Sequence, residues 1–264
     1  MYGLGFGAFR HAMIGSIGGA SYGALTTAWI TATGETDTTI INSVNDLETG
    51  LNLYGLTSKI ISLYMNRTGN ATKDAFDFMN TSRSQAFSSG FTLTTQGAKP
   101  NGTSAFANTN INFNTSLIIN NISVGYSTNE NTNGVSGGYD MGVTTGGTNF
   151  VLLSKFNSDG KAYYTFDNSF SPNVAVADGS GVFIGTFDAS KNLVLYRNAT
   201  SIGTAVTSAM SLANANSYYG AMNSSGTAIY FNNKRLRNIF HGRYLTSTDV
   251  TNLTNLLNTF DATR

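Results

Sequence analysis

The sequence predicts an all-β protein: a jelly-roll β-sandwich with an N-terminal extended arm, a short helical segment and a C-terminal helix. Three observations lead there. From about residue 74 the chain falls into short runs of period-two alternation separated by turn residues. Residues 1–28 combine glycine with aromatic side chains at a density unsuited to a core or a solvated tail. Helical spacing of apolar residues is confined to the segment 35–65 and to the C-terminus.

In the first stretch, Gly3, Gly5, Gly7, Gly15, Gly18, Gly19 and Gly23 alternate with Tyr2, Leu4, Phe6, Phe9, Met13, Ile17 and Tyr22. So much glycine is costly to order, because glycine loses the most backbone freedom on folding. So much apolar surface is costly to leave in water. Partner chains that bury the segment reconcile the two. Residues 1–28 are therefore read as an anchoring arm, with Tyr2, Phe6, Phe9 and Arg10 as its contact residues. The arm does not have the layout of a secretory signal, since its first charge, Arg10, lies in its middle.

Residues 29–72 read as a helical connector. Glu35 and Asp37 stand where acids favour the positive end of a helix, and Ile40, Ile41, Val44, Leu47 and Leu51 follow at three- and four-residue spacing. Leu56, Ile60, Leu63 and Tyr64 suggest a second short helix. Trp29, the single tryptophan, is assigned to packing.

Residues 73–264 form the predicted sandwich and its terminal helix. Phe91, Leu93 and Thr95 alternate before the turn Lys99-Pro100-Asn101-Gly102. Further strands are expected at 117–126, 149–156, 161–167, 181–187, 192–198, 217–222 and 226–232. Asp159-Gly160 marks a hairpin, and Asp178-Gly179 and Ser225-Gly226 mark turns. Thr246-Ser247-Thr248-Asp249 forms a capping box ahead of Val250, Leu253, Leu256, Leu257 and Phe260.

Composition excludes several chemistries. Charged residues make up 11% of the chain and the net charge is +1, too little field to gather nucleic acid. Lys234, Arg235, Arg237 and Arg243 are the one basic cluster, explained equally by a solvated strand edge. The chain has no cysteine and two distant histidines, His11 and His241, which rules out thiolate and multi-histidine metal sites. Asn157-Ser158-Asp159-Gly160 offers too few oxygens for a calcium cage, which takes about 6–8 ligands. No cofactor is expected. No stretch is apolar enough for a membrane-spanning helix. His241 has many serines to pair with but no G-x-S-x-G elbow to place one.

The segments LNLYGLTSKIISLYMNRTGNATKDAFDF, FTLTTQGAKPNGTSAFANTNINFN, GVFIGTFDASKNLVLYRNATSIGTAV and FNNKRLRNIFHGRYLTSTDVTNLTNLLNTF occur in that order. In order and texture they resemble the concanavalin A-like, laminin-G-like jelly-roll virion proteins of bacteriophages, especially phages of the Bacteroidetes group, over residues 29–264. The resemblance implies a spike, head fibre, vertex or decoration subunit on the virion surface. Such a subunit would join other virion proteins through residues 1–28 and assemble as a homo-oligomer, a trimer or a pentamer. It also implies binding to a host surface glycan. Sugar-binding sandwiches pair a stacking tyrosine with an acceptor carboxylate, and Tyr139 and Asp140 in the glycine-rich stretch 137–142 fit that pattern. Glycan-cleaving members carry a Glu-x-Asp-x-x-Glu strand, whereas this chain has only Glu35, Glu48 and Glu130, none so spaced. The sequence-based expectation is therefore a non-enzymatic protein.

Overall fold

The computed structural model describes residues 21–131, 135–156, 158–166, 172–207 and 211–263. Tyr2, Phe6, Phe9 and Arg10, the predicted arm contacts, lie outside the described residues.

Two antiparallel sheets face each other across one core. The first has six strands in the order β1 (Ile60–Met65), β17 (Asn238–Gly242), β6 (Ile122–Thr128), β11 (Gly181–Phe187), β12 (Asn192–Arg197) and β13 (Thr200–Val206). The second runs β10 (Asn173–Ala175), β9 (Lys161–Phe166), β8 (Thr148–Leu153), β7 (Met141–Thr145), β14 (Asn216–Tyr219), β5 (Ala107–Asn112) and β2 (Ala86–Phe87). A hairpin of β15 (Met222–Ser224) and β16 (Thr227–Ile229) joins this sheet through β7, with Met222 opposite Gly142. A separate ribbon pairs β3 (Thr92–Thr94) with β4 (Gly97–Lys99). The all-β sandwich expected from sequence is the fold observed.

Alternation along the strands builds the layers. Ile122, Val124 and Tyr126 of β6, Phe183 of β11 and Ile239 of β17 point inward and meet Phe150, Leu152, Tyr164 and Phe166 of the second sheet. The Tyr164 ring lies across Gly185, where a Cβ would stand 2.2 Å from its Cε2 atom, so glycine is required there.

The opposite face of the six-stranded sheet carries helices. Val182, Ile184, Leu63 and Phe240 pack against α1 (Ala24–Thr33), α2 (Thr38–Leu53) and α5 (Ser247–Ala262), with Trp29 buried among them. Two short helices, α3 (Ala71–Ala75) and α4 (Phe113–Ser116), sit in connections. The outer face of the second sheet carries a smaller apolar cluster of Val151, Leu153 and Met222, flanked by Tyr139, Phe156, Tyr163 and Ile229. The molecule is thus layered as helices, sheet and sheet, with the β15–β16 hairpin part of the second sheet.

The helix ends follow their capping chemistry. Asp37 caps α2 by accepting from the Thr39 and Ile40 amides, while Glu35 stands outside the helix and pairs with Lys73 at 3.1 Å. Thr246 and Asp249 form the expected capping box of α5, and Lys59 holds Asp249 at 2.5 Å. Glu48 of α2 accepts from the Leu25 and Thr26 amides at the start of α1.

Two expectations are corrected. Leu56, Ile60, Leu63 and Tyr64 do not share one helix: Leu56 opens a single 3-10 turn, Leu56–Ser58, and residues 60–65 are β1, paired with β17 inside the sandwich. The strand is buried on both faces, which removes the alternation that would have marked it. Helix α1 begins at Ala24, within the stretch read as arm.

Candidate aromatic cleft

On the outer face of the second sheet a small buried apolar cluster is flanked by half-buried aromatic side chains. In β9, Ala162, Tyr164 and Phe166 face the core, so Tyr163 faces out. In β8, Phe150 and Leu152 face in, so Val151 and Leu153 face out. Tyr139 enters from the loop before β7, Phe156 from the β8–β9 connection, and Asn173 from the start of β10. Tyr139, Leu153, Phe156, Tyr163 and Asn173 line a cleft of about 320 Å³.

The rings touch in succession, tilted by 36°, 56° and 84° from Tyr230 to Tyr163. Tyr230 and Tyr139 have centroids 4.9 Å apart, Tyr139 and Phe156 6.2 Å, and Phe156 and Tyr163 5.9 Å. Tyr230 follows β16 and is 53% exposed. Its φ of +55° lies in the left-handed region, unusual for a bulky residue. Its carbonyl accepts from the Tyr139 amide at 2.9 Å, which ties the two tyrosines through the backbone as well as the rings.

Asp140 occupies a different environment from its neighbour. It is 2% exposed, and its carboxylate is fully engaged. Oδ2 accepts from the Tyr126 hydroxyl at 2.5 Å and from the Ser154 amide and hydroxyl at 2.8 and 2.7 Å. Oδ1 accepts from Asn232 Nδ2. Behind them Lys234 Nζ donates to Ser154 Oγ at 2.5 Å and to the Gly179 carbonyl at 3.1 Å. Burial pulls the Lys234 ammonium below its usual range, while Asp140, Glu130 and Asp178 act to keep its proton. The expectation that Asp140 meets a ligand hydroxyl is corrected: its acceptor capacity is spent on Tyr126, Ser154 and Asn232. Asp140 is a positioning residue beneath the row. Its side chain holds Asn232, two residues beyond Tyr230, and its carbonyl accepts from the Gly220 amide at 2.9 Å.

The cleft lining carries no acid and no base among the described residues. Asp159 stands beside it, accepting from the Lys161 amide at 2.9 Å and from the Tyr163 hydroxyl. Burial, followed by this carboxylate, pushes the Tyr163 phenol up to about 12. Burial, then Tyr230, raises the Tyr139 phenol as well. All the lining groups are neutral at physiological pH. Asn157, the first residue of the weighed calcium-ligand run, lies outside the described residues.

The other candidates resolve into structure. His241 is buried between Ser62 and Ser217, with Nδ1 2.9 Å from Ser62 Oγ and Nε2 2.8 Å from Ser217 Oγ. Burial drives its pKa down to about 3. A neutral imidazole sealed between two hydroxyls joins the sheets and meets no solvent-borne substrate. Three of the four basic residues are likewise absorbed, while Arg243 is exposed. Lys234 is buried, Arg235 pairs with Glu130 and bonds Thr94, and Arg237 bonds Gln96 and pairs with Asp261. No helix among the described residues is long and apolar enough to cross a membrane.

No protein-family model matches the chain, and no curated protein matches it. Solved structures do. A Trypanosoma rangeli sialidase mutant displaying trans-sialidase activity aligns with a TM-score of 0.53 and 11% identity, covering 83% of this chain and 39% of its own. The Trypanosoma rangeli sialidase in complex with 2,3-difluorosialic acid aligns at 0.54 and 13%, covering 75% and 33%. The binding domain of botulinum neurotoxin DC in complex with SialylT aligns at 0.51 and 15%, covering 75% and 51%. These likenesses show a shared β-sandwich fold. The chain spans a third to two fifths of the sialidases' length. One expectation is overturned here. The missing Glu-x-Asp-x-x-Glu strand points away from one type of glycan-cleaving enzyme, yet solved structures sharing this fold include sialidases, so the non-enzymatic expectation does not stand.

Sequence reasoning found Tyr139 but not its companions. Phe156, Tyr163 and Tyr230 come from three other segments, and only strand parity could have set Tyr163 outward.

Proposed function

We propose that this chain is a carbohydrate-recognition module that holds neutral sugar rings in the aromatic cleft. The row Tyr230–Tyr139–Phe156–Tyr163 carries the reading. Rings held at fixed spacing on an open sheet face give flat apolar platforms for the C–H faces of a pyranose, and rigid aromatics lose little entropy on binding. The uncharged lining favours a neutral saccharide over an anionic one. Solved proteins of this fold are in complex with sialic acid and with SialylT, which supports glycans as the ligand class. The test is a glycan array probed with the purified chain and with the Tyr139→Ala, Tyr230→Ala double variant. Binding to neutral glycans that falls at least tenfold in the variant supports the reading. No glycan bound, or equal binding by both proteins, sinks it.

We further propose that the module is displayed on a phage particle, as a homo-oligomer joined to other virion proteins through its N-terminal arm, with Tyr2, Phe6, Phe9 and Arg10 as contacts. The support is compositional, the conflict between glycine and aromatic content in residues 1–28, together with the segment resemblance. Because α1 starts at Ala24, the informative truncation removes residues 1–20 and leaves that helix whole. A truncated chain that folds but no longer joins particles supports anchoring; normal incorporation refutes it.

A further inference from the structure

At the other end of β7 lies a second groove that the aromatic cleft does not explain. Tyr139 precedes β7 and Thr145 ends it, a separation of roughly 20 Å at the rise of an extended strand. Asn112, Thr145, Asn214, Asn216, Tyr218 and Asn223 line a groove of about 420 Å³, closed by the Ser225-Gly226 tip of the β15–β16 hairpin. The lining comes from the ends of β5 and β7, the start of β14 and the hairpin tip. Every lining side chain that is polar is also uncharged.

Two of the four amides are structural. Asn112 caps α4 with its oxygen and donates to Asn214 Oδ1 at 3.2 Å. Asn223 donates to the Asn216 carbonyl at 2.7 Å and accepts from the Gly226 amide at 2.7 Å. These bonds orient the other two. Asn214 has its oxygen engaged by Asn112, and among the described residues its Nδ2 has no assigned partner. Asn216 donates to Asn110 at 3.3 Å, and its Oδ1 has no assigned partner among the described residues. Thr145 Oγ1 accepts from the Asn214 amide at 3.0 Å and keeps its own proton to give. Tyr218 adds a ring to the wall, stacked on Phe106 with centroids 4.6 Å apart. The groove thus offers oriented donors and an acceptor beside an aromatic wall, with no charge.

A ligand matching that set must donate and accept at neighbouring atoms and carry no charge. Vicinal hydroxyls do so, and each of their oxygens can serve in both roles. A cation or an anion would lose hydration in the groove without a compensating charge. We infer that the groove between Asn214 and Asn216 is a second site for neutral, hydroxyl-rich saccharides, separate from the aromatic cleft. The sheet then presents two saccharide sites in line along β7. A polymer long enough to reach both binds more tightly than either site alone by effective concentration.

The test is isothermal titration of the full chain with soluble neutral oligosaccharides of glucose, galactose, mannose and xylose. Three proteins are compared: the natural chain, Asn214→Ala/Asn216→Ala, and Tyr139→Ala/Tyr230→Ala. Asn214 is exposed and Asn216 half-buried, so that pair is expected to keep the melting temperature. Binding weakened about tenfold or more by the asparagine pair, or one of two binding events abolished by it, supports the groove. If the asparagine pair alone abolishes all binding, the groove stands and the aromatic-cleft reading falls. Titrations of the asparagine pair that match the natural chain overturn the groove and leave the cleft reading intact. No neutral saccharide bound by the natural chain overturns both.

Discussion

Tyr230 holds its ring 4.9 Å from that of Tyr139 while its own backbone sits at φ +55°. A side chain in that region costs on the order of 1–2 kcal/mol, and the ring position is what the strain secures. Tyr230→Gly separates the two effects. Glycine accepts the backbone without strain, so the variant is expected to melt at or above the natural temperature while losing binding to neutral glycans. Calorimetry and the array together decide it; a variant that melts lower shows that Tyr230 is chiefly a packing residue.

Asp140 gives the opposite expectation. Removing its carboxylate leaves Tyr126, Ser154 and Asn232 as buried donors without an acceptor and removes a negative charge that helps Lys234 keep its proton. Asp140→Ala should cost about 3–5 kcal/mol in urea unfolding, typical of breaking a buried ionic network. Glycan binding per folded molecule should fall as well, because the loop carrying Tyr139 loses its anchor.

His241 sets an acid-side slope. Its pKa is near 3 folded and near 6.5 unfolded, so between those values the unfolded chain holds the extra proton. Stability from this group is complete above about 6.5 and declines as pH falls towards 3. Asp74 works against it: burial raises its carboxyl to about 6, so the folded chain takes up a proton first and gains stability between about 6 and 3.8. His241→Gln should therefore flatten or reverse the fall in urea midpoint between pH 6.5 and 5. An unchanged slope would remove His241 as its origin.

Helix α5 begins on a capping box that can be opened singly. Thr246→Ala removes the acceptor for the Asp249 amide and should cost about 1 kcal/mol. The same variant should leave glycan binding unchanged, because α5 lies behind the six-stranded sheet.

Much of this fold is legible where local chemistry and burial agree. Strand β11 and the Asp159-Gly160 turn stand out because strand ends carry turn residues, and Thr246 announces α5 because its cap is local. Strand β1 is hidden because both faces are buried: Ile60, Leu63 and Tyr64 repeat at helical intervals by coincidence, and its one polar residue, Ser62, is buried as well. The site was legible only in part. Tyr139 carries a signal in its glycine-rich context, whereas Asp140 reads the same whether its acceptors face a ligand or Tyr126. Phe156, Tyr163 and Tyr230 join it only through the pairing of β7, β8, β9 and the hairpin, which no local window contains.

The layering has a mechanical consequence. The chain enters at Gly23, where Asn45 accepts from its amide and Glu48 grips the first turn of α1. A pull on the segment before it therefore loads α2 and the helical layer first, on the far side of both sheets from the aromatic row. A molecule tethered there is stressed at its helical layer, so a load on the outer face of the second sheet would pass through the thickness of the sandwich as shear between the sheets.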